Sequence, residues 1–372
     1  MSTDEPKPRD LFHVFSTMDV GGAQVRFAKL ANKFDIPFRN LLFATDQRYE
    51  SVNLLLPHVD REVQEIDFGK GQTLRNLLLF RRTLNKLNPD VLVTYNWGAI
   101  EWAMANFGRN CPHVHVVDGF GPEEADGQLA RRVWFRRLAL WPHTTTVVPS
   151  QTLYDIVTRI WRLPARNVAY IPNGIDCTRF GLPRDPALAQ QYGLDDDNLV
   201  IGTVAALRPE KNLIRLIDAF SKTVASGRKA KLLIVGDGQE RPGLEDHAKR
   251  LGLADQVVFT GYIADPSALL ALCDIFALSS DTEQMPIGVL EAMATRLPVA
   301  AVDVGDVRNM VSDENRPFIV ARDTDALANV LSTFLDDDTL RQDIGRANHT
   351  RVEATYSESE MVAAWARIFS AG

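Results

Sequence analysis

Residues 279–294 read SSDTEQMPIGVLEAMA, and they join a buried-strand pattern at 274–278 to a helix pattern. Pro286 suits the first turn of that helix, because an N–H group there would have no intrahelical partner. The segment therefore predicts a polar loop at the carboxyl end of a strand, where backbone N–H groups and a helix dipole favour an anion. Glu283 and Glu291 lie beside this predicted anion site. Carboxylates repel a phosphate but accept hydrogen bonds from hydroxyls, which indicates a sugar joined to a nucleotide diphosphate as ligand.

The composition is that of an ordinary globular protein, with 45% hydrophobic and 24% charged residues. A length of 372 residues predicts two domains. The net charge of -7 argues against nucleic acid as a partner, because nucleic-acid binding needs a basic surface. Cys111, Cys177 and Cys273 fit neither a disulfide framework nor a metal cluster, which favours a cytoplasmic setting. Residues 1–10 lack the apolar core of a signal peptide, and no run is long enough to cross a bilayer. We expect a cytoplasmic chain, at most peripheral on the inner face of the membrane.

Strand-like and helix-like segments alternate along the chain. The strand patterns lie at 11–16, 40–44, 91–95, 113–117, 144–148, 199–204, 231–235, 256–259, 275–278, 299–302 and 318–320. The clearest helix patterns lie at 73–87, 99–107, 128–140, 323–336, 339–355 and 358–370. This alternation predicts an α/β fold with two doubly wound parallel sheets, joined by a linker at 177–197. Two such halves would place a ligand in a cleft between their strand ends.

Two further loops follow predicted strands. Gly21 and Gly22 separate the first strand from a helix, so they either let a ligand approach the backbone or only form a tight turn. Both interpretations stay open on this stretch alone. Arg208 and Lys211 open a helix after the first strand of the second half, which suits a phosphate, although a solvated helix start is common for such residues. Their place in the same sheet as the Glu283 loop favours phosphate.

Metal chemistry has little support in the sequence. His113 and His115 alternate along a strand and share a face, but structural packing is the better interpretation of that pair. We therefore expect no metal site.

Six short motifs occur along the chain in an order typical of one family. They are Gly21-Gly22-Ala23-Gln24, Ile171-Pro172-Asn173-Gly174-Ile175-Asp176, Arg208-Pro209-Glu210-Lys211-Asn212, Val235-Gly236-Asp237-Gly238, Phe259-x-Gly261 and Glu283-x7-Glu291. Each motif is weak alone, but together the six make the chain resemble the retaining nucleotide-sugar glycosyltransferases of the family-4 type, which have the two-Rossmann GT-B fold. The resemblance runs from the first loop to the last helix.

The resemblance implies a fold and an activity. The first domain would span residues 1–176, with the last helix, at about 356–372, crossing back onto it, and the donor domain would span 177–355. The implied enzyme is a metal-independent hexosyltransferase that needs no cofactor and uses a nucleotide-diphosphate sugar as co-substrate. It would act on a glycan or lipid-linked acceptor in surface polysaccharide or glycolipid biosynthesis, with retention of anomeric configuration.

The resemblance also implies residue roles. Glu283 would hold the hydroxyls of the donor sugar, Glu291 those of the ribose, and Lys211 with an arginine would neutralise the diphosphate. The remaining donor-binding residues would be Gly21, Gly22, Gln284, Met285, Pro286, Ile287 and Gly288.

The sequence departs from the family pattern at several positions. Ala206 occupies the place of the usual phosphate-binding arginine, so Arg208 must substitute or the contact is lost. Asp118 stands where a histidine commonly contacts the transferred sugar, and the nearby His115 is an alternative for that role. The glycine-rich run after Glu283 reads Gln284-Met285-Pro286 here, and Asp306 replaces the second glycine of a pair.

The acceptor side offers two candidates. Asn96 and Trp97 follow a strand and would either contact an acceptor or pack a helix start. The basic, aromatic stretch at 131–141 would give peripheral contact with a lipid membrane, although a helix with buried aromatics and solvated arginines is slightly favoured.

Two rivals to a glycosyltransferase follow from the same residues. A sugar-nucleotide epimerase of similar fold needs acid and base groups around the sugar, and the Glu-x7-Glu signature speaks against it. A catalytically silent nucleotide-sugar-binding partner subunit is the second rival, since Ala206 and Asp118 replace active-site residues.

Overall fold

The computed structural model describes residues 8–69, 71–108, 111–120, 122–124, 127–141, 143–194 and 197–371. The chain divides into two compact units, Met1–Pro172 with Glu360–Gly372, and Asn173–Ser359. Each unit is a parallel sheet covered by helices on both faces, which is the doubly wound architecture expected from the alternating pattern. The chain passes between the units after Pro172 and after Ser359. Each of these positions lies four residues from the predicted boundary, at 176 and at 355.

The described part of the first unit contains a seven-stranded sheet in the order β3-β2-β1-β4-β5-β6-β7, in which every neighbouring pair is parallel. Its strands are β1 Arg9–Phe15, β2 Phe38–Ala44, β3 Arg61–Val63, β4 Val91–Tyr95, β5 His113–Val116, β6 Thr144–Val148 and β7 Val168–Tyr170. The strand pattern at β3 was too short to predict, since its three residues are all exposed at the sheet edge.

Helices cover both faces of this sheet. They are α1 Gly22–Ala31, α2 Thr73–Leu87, α3 Ile100–Ala105, α4 Ala130–Leu140, α5 Gln151–Asp155 and α14 Glu358–Ser370, of which the last begins in the second unit. Helix α14 packs Trp365 into the same apolar cluster as Phe27 of α1. The opposite face holds Phe80 of α2 and Trp102 of α3, whose rings stack with centroids 4.1 Å apart.

The described part of the second unit contains a six-stranded parallel sheet in the order β10-β9-β8-β11-β12-β13. Its strands are β8 Leu199–Val204, β9 Ala230–Val235, β10 Val257–Gly261, β11 Ile275–Leu278, β12 Val299–Val302 and β13 Ile319–Val320. Its helices are α6 Pro186–Gln191, α7 Leu213–Val224, α8 Arg241–Arg250, α9 Ser267–Leu270, α10 Ile287–Ala294, α11 Val307–Met310, α12 Thr324–Asp336 and α13 Asp338–Thr355.

The predicted linker at 177–197 is wrong as a description of this segment. Its described residues include a 3-10 turn, Cys177–Arg179, and the helix α6, which begins at an Asp185 cap. Phe180 and Leu194 are buried in the core of the second unit, so the segment belongs to that unit.

Strand order places the important loops. In both sheets the direction of winding reverses beside the first strand, between β1 and β4 and between β8 and β11. Such a reversal opens a crevice at the carboxyl ends of the two strands, where doubly wound sheets bind ligands. The loops after β8 and β11 therefore meet at one edge of the second unit, and those after β1 and β4 meet in the first.

Candidate functional site

The centre of the candidate site in the second unit is an ion pair between Lys211 and Glu283. The Lys211 Nζ atom lies 2.7 Å from Glu283 Oε1, and the two side chains are 23% and 10% exposed. The Ser280 hydroxyl donates a second hydrogen bond to Glu283 Oε1, at 2.8 Å. The structure thus joins the predicted phosphate cation and the predicted sugar carboxylate, which lie far apart in the sequence.

Three residues that sequence reasoning missed hold the two loops together. Asn212 has left-handed backbone geometry (φ 42°) and caps α7, and its amide donates to Asp281 Oδ2 at 2.9 Å. Arg215 pairs with Asp281 at 2.7 Å and donates to the Ser279 carbonyl at 2.7 Å. The Asp281 N–H also donates to the Glu210 carbonyl at 2.9 Å. An asparagine directly after Lys211 was the one available signal, because asparagine tolerates left-handed geometry.

The start of α10 differs from the prediction at Pro286. The proline occupies the N-cap position in an extended conformation (φ -67°, ψ 122°), and the helix begins at Ile287 rather than at Pro286. The first N–H groups of α10, including those of Ile287 and Gly288, therefore have no intrahelical acceptor. Glu291 lies one turn further along the same helix.

Gln284 has a side-chain acceptor without a described partner, whereas the neighbouring Met285 packs in the core. Gln284 Oε1 is buried, and no described residue donates a hydrogen bond to it. Met285 is corrected as a donor-binding side chain, because it is only 5% exposed in the core and its sulfur accepts the Asn173 N–H at 3.2 Å. Because a glutamine oxygen accepts hydroxyl donors, Gln284 fits the predicted sugar site.

Gly305 supports the same loop through close backbone contact. It has φ +55°, and a Cβ there would lie 2.5 Å from the Glu283 carbonyl oxygen and 2.8 Å from that of Gln284. The Asp306 N–H donates to the Gln284 carbonyl at 2.9 Å, and Asp306 is buried. The substitution of Asp306 for the usual second glycine therefore leaves this loop anchored.

Arg208 has an exposed side chain, whereas Lys211 is half-buried. The loop carrying Arg208 packs on the Gly236 motif, where a Cβ on Gly236 (φ +141°) would lie 1.9 Å from the Ala205 carbonyl. The Leu207 N–H donates to the Asp237 carbonyl at 2.9 Å. The Val235-Gly236-Asp237-Gly238 motif thus shapes the loop beside Lys211.

In the first unit, the turn after β1 does not require a glycine at Gly22, whereas a Cβ on Gly21 would lie 2.9 Å from Gln24 Oε1. Gly21 is extended (φ -157°, ψ 173°) and Gly22 is the first residue of α1. Neither has a positive φ, and a Cβ on Gly22 would meet no atom within 4 Å. This geometry weakens the tight-turn interpretation of the pair.

Asp118 lies directly after β5 as the partner of a buried cation. Its carboxylate forms an ion pair with Arg26 of α1, and the two side chains are 14% and 8% exposed. The Arg26 guanidinium also lies 5.7 Å from the Trp365 ring centroid. Asn96, with φ 55°, accepts the Asp118 N–H at 2.8 Å through its amide oxygen. Asn96 thus positions Asp118, and a carboxylate with an arginine partner stands where the family pattern has a histidine.

The burial of His115 argues against this residue as the alternative to Asp118 for contacting the transferred sugar on the acceptor side. His115 is 1% exposed, and its Nδ1 lies 2.8 Å from the Thr94 hydroxyl, which in turn lies 2.8 Å from His113 Nε2. Burial lowers the pKa of His113 to about 3 and that of His115 well below its usual value. The structural-packing interpretation of this pair holds, and neutral His115 is a buried member of a hydrogen-bond chain.

Two arginines lie against the half-buried ring of Trp97, and its contact with an acceptor stays a prediction. The guanidinium groups of Arg132 and Arg136 lie 4.9 Å and 5.1 Å from its centroid. Arg136 also forms a two-pronged ion pair with Glu124, at 2.8 Å and 2.6 Å. Burial alone would raise the pKa of Glu124, but the contacts with Arg136 and Arg132 hold it below its usual value.

Three of the four arginines of α4 contact other parts of the protein, whereas its Trp134 is exposed. Arg132 and Arg136 pair with Glu124, and Arg137 donates to the Trp161 carbonyl at 2.8 Å. Trp134 is 69% exposed. Three of these arginines therefore face the protein, contrary to the helix with solvated arginines that the sequence slightly favoured, and contact of this stretch with a membrane stays a prediction. Across the described helices, none combines the length and apolarity needed to cross a membrane.

The fold places the chain in a known structural class. Anabaena Alr3699/HepE in complex with UDP superimposes with a TM-score of 0.82 at 22% identity, covering 98% of this chain and 100% of that one. WaaG, a glycosyltransferase involved in lipopolysaccharide biosynthesis, gives a TM-score of 0.74 at 18% identity, with 98% and 100% coverage. With its two parallel-sheet units, the chain has the GT-B fold.

Sequence comparison identifies the family. Residues 20–179 match the family described as Glycosyltransferase Family 4, and residues 185–351 match the one described as Glycosyl transferases group 1. The chain is therefore a family-4-like glycosyltransferase of the GT-B fold. It is 30% identical over 234 residues to alpha-D-kanosaminyltransferase of Streptomyces kanamyceticus, which covers 61% of this chain and 60% of that protein.

A second relative matches over more of its length. The capsular polysaccharide biosynthesis glycosyltransferase CapM of Staphylococcus aureus is 28% identical over 319 residues, 81% of this chain and 83% of that protein. For the kanosaminyltransferase and for N-acetyl-alpha-D-glucosaminyl L-malate synthase of Bacillus anthracis, the matched part spans only 60% and 54% of the relative.

Proposed function

We propose that this protein transfers a sugar from a nucleotide-diphosphate sugar to a glycan or lipid-linked acceptor, with retention of anomeric configuration. The observation that carries the proposal is the Lys211–Glu283 pair beside the start of α10, since it sets a cation, a hydroxyl acceptor and helix N–H groups together. The similar Alr3699/HepE has been solved with UDP-glucose, which supports a nucleotide-sugar donor.

The acceptor is proposed from the relatives. One is named for capsular polysaccharide biosynthesis, and another is a galactosyltransferase acting on GlcNAc-diphosphoundecaprenol. We propose that this chain likewise works in surface polysaccharide or glycolipid biosynthesis, as a hexosyltransferase. A cytoplasmic setting is proposed because Cys111, Cys177 and Cys273 are all free thiols.

In the proposed chemistry, groups of the protein stabilise the negative charge of the leaving group. When the sugar–phosphate bond breaks, negative charge grows on the departing diphosphate, where Lys211 and the first N–H groups of α10 would stabilise it without a metal. Each such contact, made mainly in the transition state, is worth about 3 kcal/mol, or roughly a hundredfold in rate. Front-face attack would retain configuration, with the leaving phosphate helping to deprotonate the acceptor hydroxyl.

The proposed roles of the carboxylates differ. Glu283, anchored by Ser280 and Lys211, would accept hydrogen bonds from donor-sugar hydroxyls, and Gln284 Oε1 would accept another. Glu291, on α10, would bind the ribose hydroxyls. The Lys211 ammonium group pairs with Glu283 in this structure and is also the proposed partner of the diphosphate. Donor binding would therefore move Lys211 from Glu283 to the diphosphate.

The epimerase alternative is not favoured, because both family matches are glycosyltransferases. The silent-subunit alternative makes a different prediction, namely nucleotide binding without turnover. Slow release of free nucleoside diphosphate from a donor, without an acceptor, would argue against silence.

The test combines binding and turnover in matched variants. A thermal-shift screen of UDP, GDP and ADP sugars identifies the donor, since specific stabilisation grows with the log of ligand over its dissociation constant. Lys211→Ala should then lower transfer about a hundredfold or more while the protein stays folded. Exposed Lys249→Ala on α8 is the control for a lost surface charge.

Calorimetric titration with the free nucleoside diphosphate separates the two carboxylates. Glu291→Ala should weaken its binding, whereas Glu283→Ala should leave binding nearly intact and impair use of the donor sugar. Near-normal transfer by Lys211→Ala would remove the phosphate role, and equal losses of nucleotide binding in both glutamate variants would overturn the assignment.

A further inference from the structure

One outer layer of the first unit carries an unusual surface. Helices α2, α3 and α4 pack side by side, α2 on α3 and α3 on α4. Their inner sides are buried in the core through Phe80, Trp102 and Ala139. The opposite sides of these three helices therefore face solvent together.

Large apolar side chains concentrate on this layer. Among the described residues, five of the six most exposed large hydrophobic side chains lie there, with exposed fractions between 56% and 81%. They are Leu74 and Leu78 of α2, Phe107 after α3, and Trp134 and Leu138 of α4. We call these five residues and the exposed cations around them the α2–α4 outer face. Such a concentration of exposed apolar side chains on one layer indicates a binding surface, because soluble proteins rarely expose large apolar patches.

The spacing within each helix keeps these side chains in one stripe. Leu74 and Leu78 are four residues apart on α2, and Arg131, Trp134 and Leu138 follow each other at spacings of three and four on α4. Residues at such spacings lie on the same side of a helix. Each helix thus presents an amphipathic face in which the apolar stripe is outward.

Helix α2 carries a charge opposite to that of the whole chain. Helix α2 carries Arg75, Arg81, Arg82 and Lys86 and no acidic residue, while the chain has a net charge of -7. None of these four cations, nor the exposed Arg131, forms an ion pair with another described residue. The paired arginines of α4 lie on its inner side, so the cations left outside are available to an anionic partner.

We propose that the α2–α4 outer face binds the surface of an anionic lipid bilayer. Apolar tips that enter the headgroup boundary, flanked by cations that meet lipid phosphates, are the features of helices that lie in a membrane interface. Under the proposed function, this face would hold the enzyme where a lipid-linked acceptor resides, but binding of the face to a bilayer does not depend on the transfer chemistry.

The test is co-sedimentation of the full chain with vesicles of phosphatidylcholine alone or with added phosphatidylglycerol. Binding is expected only to the anionic vesicles and should weaken with salt, since exposed charges are screened. Leu74→Ser/Leu78→Ser and Trp134→Ser/Leu138→Ser should each weaken binding about tenfold or more. The exposed Tyr262→Ser in the second unit is the matched apolar control and should bind normally.

A charge series completes the experiment. Arg82→Gln/Lys86→Gln should weaken binding about fivefold for each charge removed. Lys229→Gln/Lys249→Gln, which removes two exposed charges from the second unit, should leave it unchanged. Circular dichroism is expected to be the same for all variants, because every substituted side chain is exposed.

Three outcomes would overturn the proposal. One is equal binding to neutral and anionic vesicles, or to neither. Another is normal anionic-vesicle binding by both apolar double variants. The third is a wild-type dimer in sedimentation velocity that Leu74→Ser/Leu78→Ser converts to monomer, which would make this face a self-association surface. No donor or acceptor is used, so a failure here leaves the proposed transfer reaction standing.

Discussion

Gly22→Ala separates a structural glycine from one that makes room for a ligand. The residue is exposed at the first position of α1, its φ is not positive, and an added Cβ meets no atom within 4 Å. Alanine restricts the unfolded chain and favours the helix, so the free energy of unfolding should rise by about 0.5–1 kcal/mol. If the backbone there touches the donor, the added methyl displaces the ligand by about 1 Å, which costs roughly a hundredfold in transfer.

The two effects have separate assays. All six tryptophans of the chain lie in the first unit, so denaturant unfolding followed by tryptophan fluorescence reports on the unit that contains Gly22. Transfer rates are measured on the same preparation. The matched control is Gly243→Ala on α8, where an added Cβ also meets nothing within 4 Å. It should gain stability in the second unit without losing activity.

Either of two results would refute the reasoning. A normal transfer rate in Gly22→Ala would show that this glycine only starts a helix. A loss of stability would show that the turn requires glycine, despite its ordinary backbone angles.

The remaining predictions concern the supports of the site and the buried charges. Gly305→Ala should cost about 1–2 kcal/mol for its left-handed backbone alone and reduce transfer by shifting the loop carbonyls beneath it, as measured by unfolding and by kinetics. Glu124→Gln should lower the unfolding free energy by about 3 kcal/mol, because Arg136 stays buried with its partner charge removed, and tryptophan fluorescence should report it. Burial lowers the pKa of His13 and His113 to about 3, whereas an unfolded histidine titrates near 6.5, so only the unfolded chain takes up these protons as the pH falls below that value. The free energy of unfolding of the first unit should therefore fall by about 1 kcal/mol per histidine between pH 7 and about pH 5.5, and a flat profile would contradict their neutral burial.

The sequence predicted the sheets well because their central strands are continuous apolar runs. β4, β8, β11 and β12 have the bounds that the pattern indicated, since buried parallel strands admit few polar residues. The prediction failed where an element is too short to show a periodic pattern, or where tertiary contacts set the position of a residue. The segment at 177–197 looked like a linker because turn residues conceal the short helix α6.

Side-chain pairing was the other limit. An ion pair between Lys211 and Glu283 depends on two loops that follow different strands, and no local pattern records their distance. The same holds for Arg26 with Asp118, where the sequence showed a departure from the family but not the arginine that accompanies it. The role of His115 was ambiguous for a related reason. The sequence pattern of the strand is the same whether its histidine faces a ligand site or, as here, a threonine.

The contacts around Asp281 explain why the two motifs of the second unit act as one. Asp281 receives Asn212 and Arg215 from the lysine side, and its own N–H returns to the Glu210 carbonyl. Lys211 and Glu283 are thus positioned by residues from each other's loop, and neither loop is built independently. It follows that a change at Asp281 alters the cation and the carboxylate together, although it bears neither charge of the central pair. The unit of function at this edge of the sheet is therefore the joined pair of loops rather than the Glu-x7-Glu motif alone.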